Sequence, residues 1–141
     1  MANTTQDLRE PAPPKIQIVR ILHAEDNPII AGILQDLAEH QGWDLDHCVE
    51  GEAALKQLAS VVHYDLLLVD YELLGMNGLE LVKRARNMVH RRFLPIVMMS
   101  GTLDEREARH AGADAFLRKP QDIKLLGETI TRLLGEDEQD T

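Results

Sequence analysis

A single cysteine, Cys48, stands in the whole chain, so no internal disulfide and no cysteine metal cluster can form. That usage fits a reducing compartment, and Cys48 itself reads as a small buried hydrophobe. Positive charge is also scarce: 15 Lys and Arg stand against 24 Asp and Glu, a formal charge of -9. A nucleic-acid backbone would be repelled on average, so no direct nucleic-acid partner is expected. No apolar run approaches the roughly twenty residues of a membrane span. The opening MANTTQDLREPAPP lacks the charged-then-apolar pattern of an export signal. A cytoplasmic protein with no membrane partner is the expectation.

What is present is ordinary globular material. Hydrophobic residues make up 44% and charged residues 28% of 141 positions, enough for one domain around one core. Residues 1–14 carry three prolines and no periodicity, and read as a loose tail. Gly135 to Thr141 is an acidic, unpatterned tail, which leaves 15–134 as the organised domain.

Within that span short apolar runs alternate with amphipathic ones, the mark of βα units feeding a parallel sheet. Strands are expected at Ile16 to Leu22, Asp44 to Val49, Asp65 to Val69, Leu94 to Met99 and Asp114 to Leu117. The run Leu66 to Val69 is continuously apolar, as a central strand covered on both faces must be. Asn27 and Pro28 can open a first helix that buries Ile30, Ile33, Leu34 and Leu37. A second spans Glu52 to Ser60. A third starts at Gly78 and turns Leu81, Val82, Ala85 and Val89 inward. Thr102 and Glu105 form a capping box for a fourth, and a fifth buries Ile123, Leu126, Ile130, Leu133 and Leu134. The fourth has little to bury and should be the least firmly held.

Open α/β sheets bind ligands beyond the carboxyl ends of their strands. Strand one runs out into Glu25 and Asp26, strand three into Asp70, strand four into Ser100 and strand five into Lys119. Such a set suits phosphoryl transfer, which needs positioning and charge neutralisation. Glu25 and Asp26 can hold Mg²⁺ with Asp70, a hard cation favouring oxygen ligands. Asp70 can be the nucleophile, Lys119 a point charge and Ser100 a hydroxyl donor to the phosphoryl oxygens. Read singly, each has a plainer role: a solvated acid pair, a turn cap, a loop hydroxyl, an exposed lysine.

The stretches ILHAEDNP, LLLVDYELLGMNG, VMMSG and AGADAFLRKP, taken together, resemble the receiver domain of two-component response regulators over nearly all of 15–134. The resemblance implies a (βα)5 flavodoxin-like fold, α/β and doubly wound, with strand order 2-1-3-4-5. It implies Asp70 as phosphoacceptor, Mg²⁺ held by Glu25, Asp26, Asp70 and the backbone carbonyl of Glu72, and phosphoryl contacts from Lys119, Ser100 and Gly101. Ser100 and Phe116 would form the switch, working on a surface of helix four, strand five and helix five. Lys119–Pro120 would be cis. The implied phosphodonor is a sensor histidine kinase or a histidine phosphotransfer domain, and the target is an unspecified downstream protein, with phosphorylation-dependent homodimerisation also open. The domain would catalyse only its own phosphorylation and dephosphorylation.

Two positions depart from the family pattern. Leu74 stands where proline is usual, and Glu72 adds negative charge that could slow an anionic donor or influence hydrolysis of the acyl phosphate. Three alternatives stay open: a relay intermediate, a receiver excised from a larger regulator, and a pseudo-receiver, although no key residue is missing. A dehalogenase-type phosphatase would place an aspartate where Glu72 stands. The basic run Lys83, Arg84, Arg86, His90, Arg91 and Arg92 reads as a solvated helix end. The six histidines show no ligand spacing, so His23 and His110 read as structural or exposed, and Trp43 as core.

Overall fold

Five apolar stretches become five strands, β1 Arg20–Ala24, β2 Asp44–Cys48, β3 Leu66–Asp70, β4 Ile96–Ser100 and β5 Ala115–Arg118. They are seen in a computed structural model that describes residues 17–135. The tail at 1–14 and all of the acidic tail except Gly135 lie outside the described residues. The strands form one parallel sheet in the order β2-β1-β3-β4-β5, as expected for a flavodoxin-like domain. Parallel pairing sets Arg20 beside Asp44, Ala24 beside Val69, and Asp70 beside Met99. β1 therefore begins later than its apolar run suggests and continues to Ala24.

Helices α1 Pro28–Gln41, α2 Gly51–Ala59, α3 Gly78–Arg86, α4 Glu105–Ala111 and α5 Leu126–Leu133 follow the strands in turn. Alternate residues of each strand face opposite sides, so the sheet builds two cores. Leu22, Leu67, Val69, Ile96 and Met98 pack with Leu58, Leu81, Val82 and Ala108 of α2, α3 and α4. Ile21, Leu66, Leu68, Val97 and Met99 pack with Leu34, Ala38, Leu126 and Ile130 of α1 and α5. Each of these Val, Leu, Ile and Met side chains contributes roughly 1.5–3 kcal/mol by leaving water, and the alanines less.

Local chemistry sets the helix ends. Asn27 Oδ1 accepts from the amides of Ile29 at 2.9 Å and Ile30 at 3.4 Å, and Pro28 needs no donor there. Gly42 closes α1 at φ +77°, a left-handed angle that favours glycine. For α4 the cap is Asp104, which accepts from Arg106 N at 2.7 Å, and not Thr102, whose hydroxyl is engaged elsewhere. Val89 leaves the stripe of α3: the helix ends at Arg86 and a 3-10 turn over Val89–Arg91 turns it 78% exposed. A second such turn, Ile123–Leu125, precedes α5. Ile33 is also more exposed than its stripe suggests, whereas Trp43 is core and Cys48 only half-buried.

The basic run is not simply a solvated helix end. Arg91 is 3% exposed and donates to the carbonyls of Leu58 at 2.9 Å, Ser60 at 3.2 Å and Val62 at 2.5 Å, closing the carboxyl end of α2. His90 Nε2 meets the Leu58 and Ser60 carbonyls at 2.9 and 3.1 Å. Arg86 reaches Leu94 O at 2.6 Å, Gly112 O at 2.7 Å and Asp114 Oδ2 at 3.0 Å, tying the start of β4 to the start of β5. Both arginines stitch the amino edge of the sheet, opposite the carboxyl edge where the acidic residues gather.

Candidate functional site

The strand order reverses direction between β1 and β3, and the loops leaving them diverge to open a cleft. Asp70 is the last residue of β3 and only 1% exposed. Tyr71 N donates to Met99 O at 2.9 Å, and Gly78 N to Tyr71 O at 3.0 Å, so the turn after Asp70 is held from β4 and from the start of α3. A side chain at Gly78 would not fit: its Cβ would lie 2.6 Å from Asp70 O and 2.8 Å from Tyr71 Cα.

Glu25 and Asp26 leave β1 on the way to the cap of α1. Glu25 is fully buried, while Asp26 is exposed. A loop and a strand fix Glu25: its Oε2 accepts from Asn27 N at 3.1 Å, and its carbonyl lies 2.8 Å from His47 Nε2 on β2. Carboxylate oxygens of Glu25, Asp26 and Asp70 all come within 4.8 Å of one another. Opposite them, Lys119 Nζ stands 3.0 Å from Asp70 Oδ1 and 3.7 Å from Glu25 Oε2. The Lys119–Pro120 peptide is cis, and Lys119 N donates to Ser100 O at 2.9 Å. Gly101 follows Ser100 beside the Lys119 backbone.

The electrostatics follow from burial. Loss of water, then the charge and hydrogen bond of Asp70, pushes Glu25 up to about 8. Burial also raises Asp70, against the hydrogen bond from Lys119. Burial pulls Lys119 down, but its hydrogen bond to Asp70 and the surrounding carboxylates outweigh it and hold the ammonium above its ordinary value. Glu25 Oε1 is buried with no partner among the described residues. A buried oxygen lacking a donor, in a cluster of three carboxyls, fits a hard divalent cation such as Mg²⁺.

Ser100 ends β4 and is fully buried. Its Oγ accepts from Thr102 N at 3.0 Å and Leu103 N at 2.8 Å, and donates to Glu72 Oε2 at 2.5 Å. Thr102 Oγ1 donates to the same oxygen at 2.8 Å, and Glu72 Oε1 lies 4.0 Å from Lys119 Nζ. Burial would raise Glu72, but the Ser100 and Thr102 hydroxyls, with Asp70 and the Gly101 amide, outweigh it and hold the carboxyl below its ordinary value. The Glu72 side chain thus lies across the site, a role sequence reasoning missed: it foresaw a carbonyl ligand and a loose charge. Phe116 lies apart from these groups, half-buried on β5 with the Arg118 guanidinium 5.9 Å from its ring centre.

His23 was also legible only as a residue type. It is fully buried on β1, its ring centre 5.3 Å from that of His47, with neither ring nitrogen hydrogen-bonded among the described residues. Burial, then the nearby His47 and Lys119, lowers its pKa to about 3, so it is a neutral residue of the interior. His110 is exposed.

Comparison with known proteins agrees with this fold. The model of the response regulator receiver domain matches residues 21–131. The polar-differentiation response regulator DivK of Brucella ovis is 30% identical over 119 residues, covering 82% of this chain and 96% of that protein. A CheY-like response regulator receiver domain protein from Methanospirillum hungatei superposes with a TM-score of 0.76 at 26% identity, over 89% of this chain and all of that one. The receiver domain of a sensor histidine kinase from Pseudomonas aeruginosa has the same fold, with a TM-score of 0.75 at 23% identity over 84% of this chain and 99% of that one. That structure holds a magnesium ion in its active site cleft.

Proposed function

This chain belongs to the family of response regulator receiver domains, and on that premise we propose that it accepts a phosphoryl group on Asp70 and signals the change to a partner protein. The observation that carries the proposal is the placement of Lys119 Nζ 3.0 Å from an Asp70 carboxylate that shares a 4.8 Å cluster with Glu25 and Asp26.

In the proposed reaction an oxygen of Asp70 attacks phosphorus of a phosphohistidine. The O–P bond forms as the N–P bond breaks, and its electron pair returns to the imidazole nitrogen of a histidine kinase or phosphotransfer domain. Lys119 neutralises one phosphoryl oxygen as a point charge, and the Ser100 hydroxyl and Gly101 amide donate to others. Glu25, Asp26, Asp70 and the Glu72 carbonyl would hold Mg²⁺, which supplies Lewis-acid neutralisation of the transferring group. Burial of Glu25 holds its carboxyl within 4.8 Å of the Asp70 carboxylate, and Asp26, exposed, would supply a further carboxylate to the cation.

The chain would act as an enzyme only toward its own acyl phosphate. Ser100 would shift toward the new phosphoryl group, and Phe116 would turn into the space behind it by apolar burial, altering the face formed by α4, β5 and α5. The same proposal puts the domain in the cytoplasm, where a kinase would meet it.

The test is incubation with Mg²⁺ and acetyl phosphate, followed by intact-mass measurement. One phosphate adduct is expected on the wild type, none on Asp70→Asn, and none after chelation of the metal. An adduct that survives Asp70→Asn would place the acceptor elsewhere. Onward transfer of the label to a histidine would mark a relay intermediate rather than a terminal adaptor.

A further inference from the structure

The cleft already binds an anion, and the anion is part of the chain. The Glu72 carboxylate accepts from the Ser100 hydroxyl at 2.5 Å and the Thr102 hydroxyl at 2.8 Å through one oxygen, and its other oxygen is 4.0 Å from Lys119 Nζ. We propose that Glu72 is an internal, displaceable ligand of the phosphoryl pocket, so that the incoming group must evict a carboxylate from Ser100, Thr102 and Lys119 before those donors can serve it.

Glu72 is anchored at its backbone, where its amide donates to Asp70 Oδ1 at 3.3 Å, so the side chain starts beside the acceptor and reaches outward. Ser100 has no second choice of acceptor as good. Its oxygen is already fixed by the amides of Thr102 and Leu103, which leaves the hydroxyl proton to point at Glu72. Both hydroxyl bonds end on a charged oxygen, the stronger kind of hydrogen bond. The pocket edge is solvent-accessible, with the Glu72 side chain 38% exposed, so the carboxylate can swing out to water without disturbing the core.

Two consequences separate this from simple repulsion of an anionic donor. Repulsion depends on charge alone and is screened by salt, as the Debye length falls from about 10 Å at 0.1 M to about 3 Å at 1 M. Occupancy depends on reach: Glu72→Asp keeps the charge but withdraws the carboxylate by about one C–C bond, ~1.5 Å. Lost reach would free the hydroxyls.

This inference rests on the phosphoacceptor reading and is tested beside it. Initial rates of labelling by acetyl phosphate are measured by intact mass at saturating Mg²⁺, titrated for each protein, for wild type, Glu72→Ala and Glu72→Asp. Both variants are expected to label about tenfold faster than wild type, the rate equivalent of releasing one charge-assisted hydrogen bond. The ratio should persist from low to high salt. If Glu72→Asp labels at the wild-type rate, or the advantage of Glu72→Ala vanishes in high salt, the carboxylate is only a repelling charge and the proposal is overturned. If no protein in the series is labelled, the phosphoacceptor reading itself fails.

Discussion

Replacing Gly78 by alanine adds one methyl group at the point where α3 touches β3, the strand that ends in Asp70. That methyl would meet Asp70 O at 2.6 Å, Tyr71 Cα at 2.8 Å and Asp70 C at 3.1 Å, all backbone atoms. None can rotate away, so helix and strand must separate by several tenths of an ångström. The strand cannot yield freely, because Tyr71 N is bonded to Met99 O at 2.9 Å and Asp70 pairs in register with Met99. Overpacking of this kind costs about 1–3 kcal/mol, partly offset by alanine's better helix propensity. A net loss of ~1–2 kcal/mol should lower Tm by about 5–10 °C in a domain of this size. Function should suffer more than stability, since Asp70 moves relative to Lys119 and Glu25. A misplacement approaching 1 Å slows transfer by up to about 100-fold. Differential scanning calorimetry and acetyl phosphate labelling read the two effects separately. The control is Gly32→Ala, within α1, where an added Cβ meets nothing within 4 Å and stability should hold or rise. Should Gly78→Ala match wild type in both Tm and labelling rate, the close approach of α3 and β3 is wrong.

The opposite edge of the sheet supplies a test of stability without chemistry. Arg91→Met leaves the Val62 carbonyl without its guanidinium donor and weakens the closure of α2, at a cost of ~3 kcal/mol. In urea that is a midpoint lower by about 1.5 M, whereas exposed Arg92→Met should change stability by less than about 0.5 kcal/mol; equal midpoints for the two variants would deny Arg91 its role. His23→Leu should stabilise the domain at neutral pH, because it removes a buried imidazole lacking partners among the described residues. His23 titrates in the folded protein near 3 against 6.5 unfolded, so its contribution is complete above pH 6.5 and is lost as pH falls toward 3. Wild type should therefore lose ~2 kcal/mol relative to His23→Leu between pH 6.5 and 5, measured by urea unfolding with chelator present. A pH-independent difference would mean that His23 is not buried neutral. Glu25 titrates in the opposite sense but is common to both proteins, so it cancels from the comparison.

Parallel sheets make their binding edge readable, because each strand is a short apolar run and the first polar residue after it lands on the carboxyl rim. Asp70 and Ser100 were legible for that reason, whereas Glu25 and Lys119 lie beyond the first polar side chains, His23 and Arg118, and were legible from the stretches that carry the family resemblance. Side-chain choices among competing partners were not. Thr102 carries the spacing of a capping box, yet Asp104 caps α4 while the Thr102 hydroxyl turns to Glu72, thirty residues away. Helical spacing continued through Val89, but the turn at Asn87 ended the helix first. Arg91 looks like any arginine late in a basic run, and its acceptors lie about thirty residues upstream. Such contacts are set by tertiary geometry, and a local pattern contains no record of them.

The charge arithmetic of the cleft explains why a fold would keep so awkward a site. Four carboxyls, Glu25, Asp26, Asp70 and Glu72, face one ammonium, Lys119, for a net of -3 if all are ionised. Burial raises Glu25 and Asp70, and with Lys119 the one cation beside them among the described residues, a proton is held among the buried acids. Stability alone would favour neutral, well-packed residues here, since buried charge without full compensation costs several kcal/mol. A divalent cation would replace that proton and bring the cleft close to -1, and only then could a phosphoryl group carrying about two negative charges be accommodated. Its oxygens would still need donors besides Lys119 and the Gly101 amide, and the hydroxyls within reach are those that Glu72 now engages. The metal and the displacement of Glu72 would therefore solve different halves of one problem: the cation would offset the charge, and the departing carboxylate would free the hydrogen bonds.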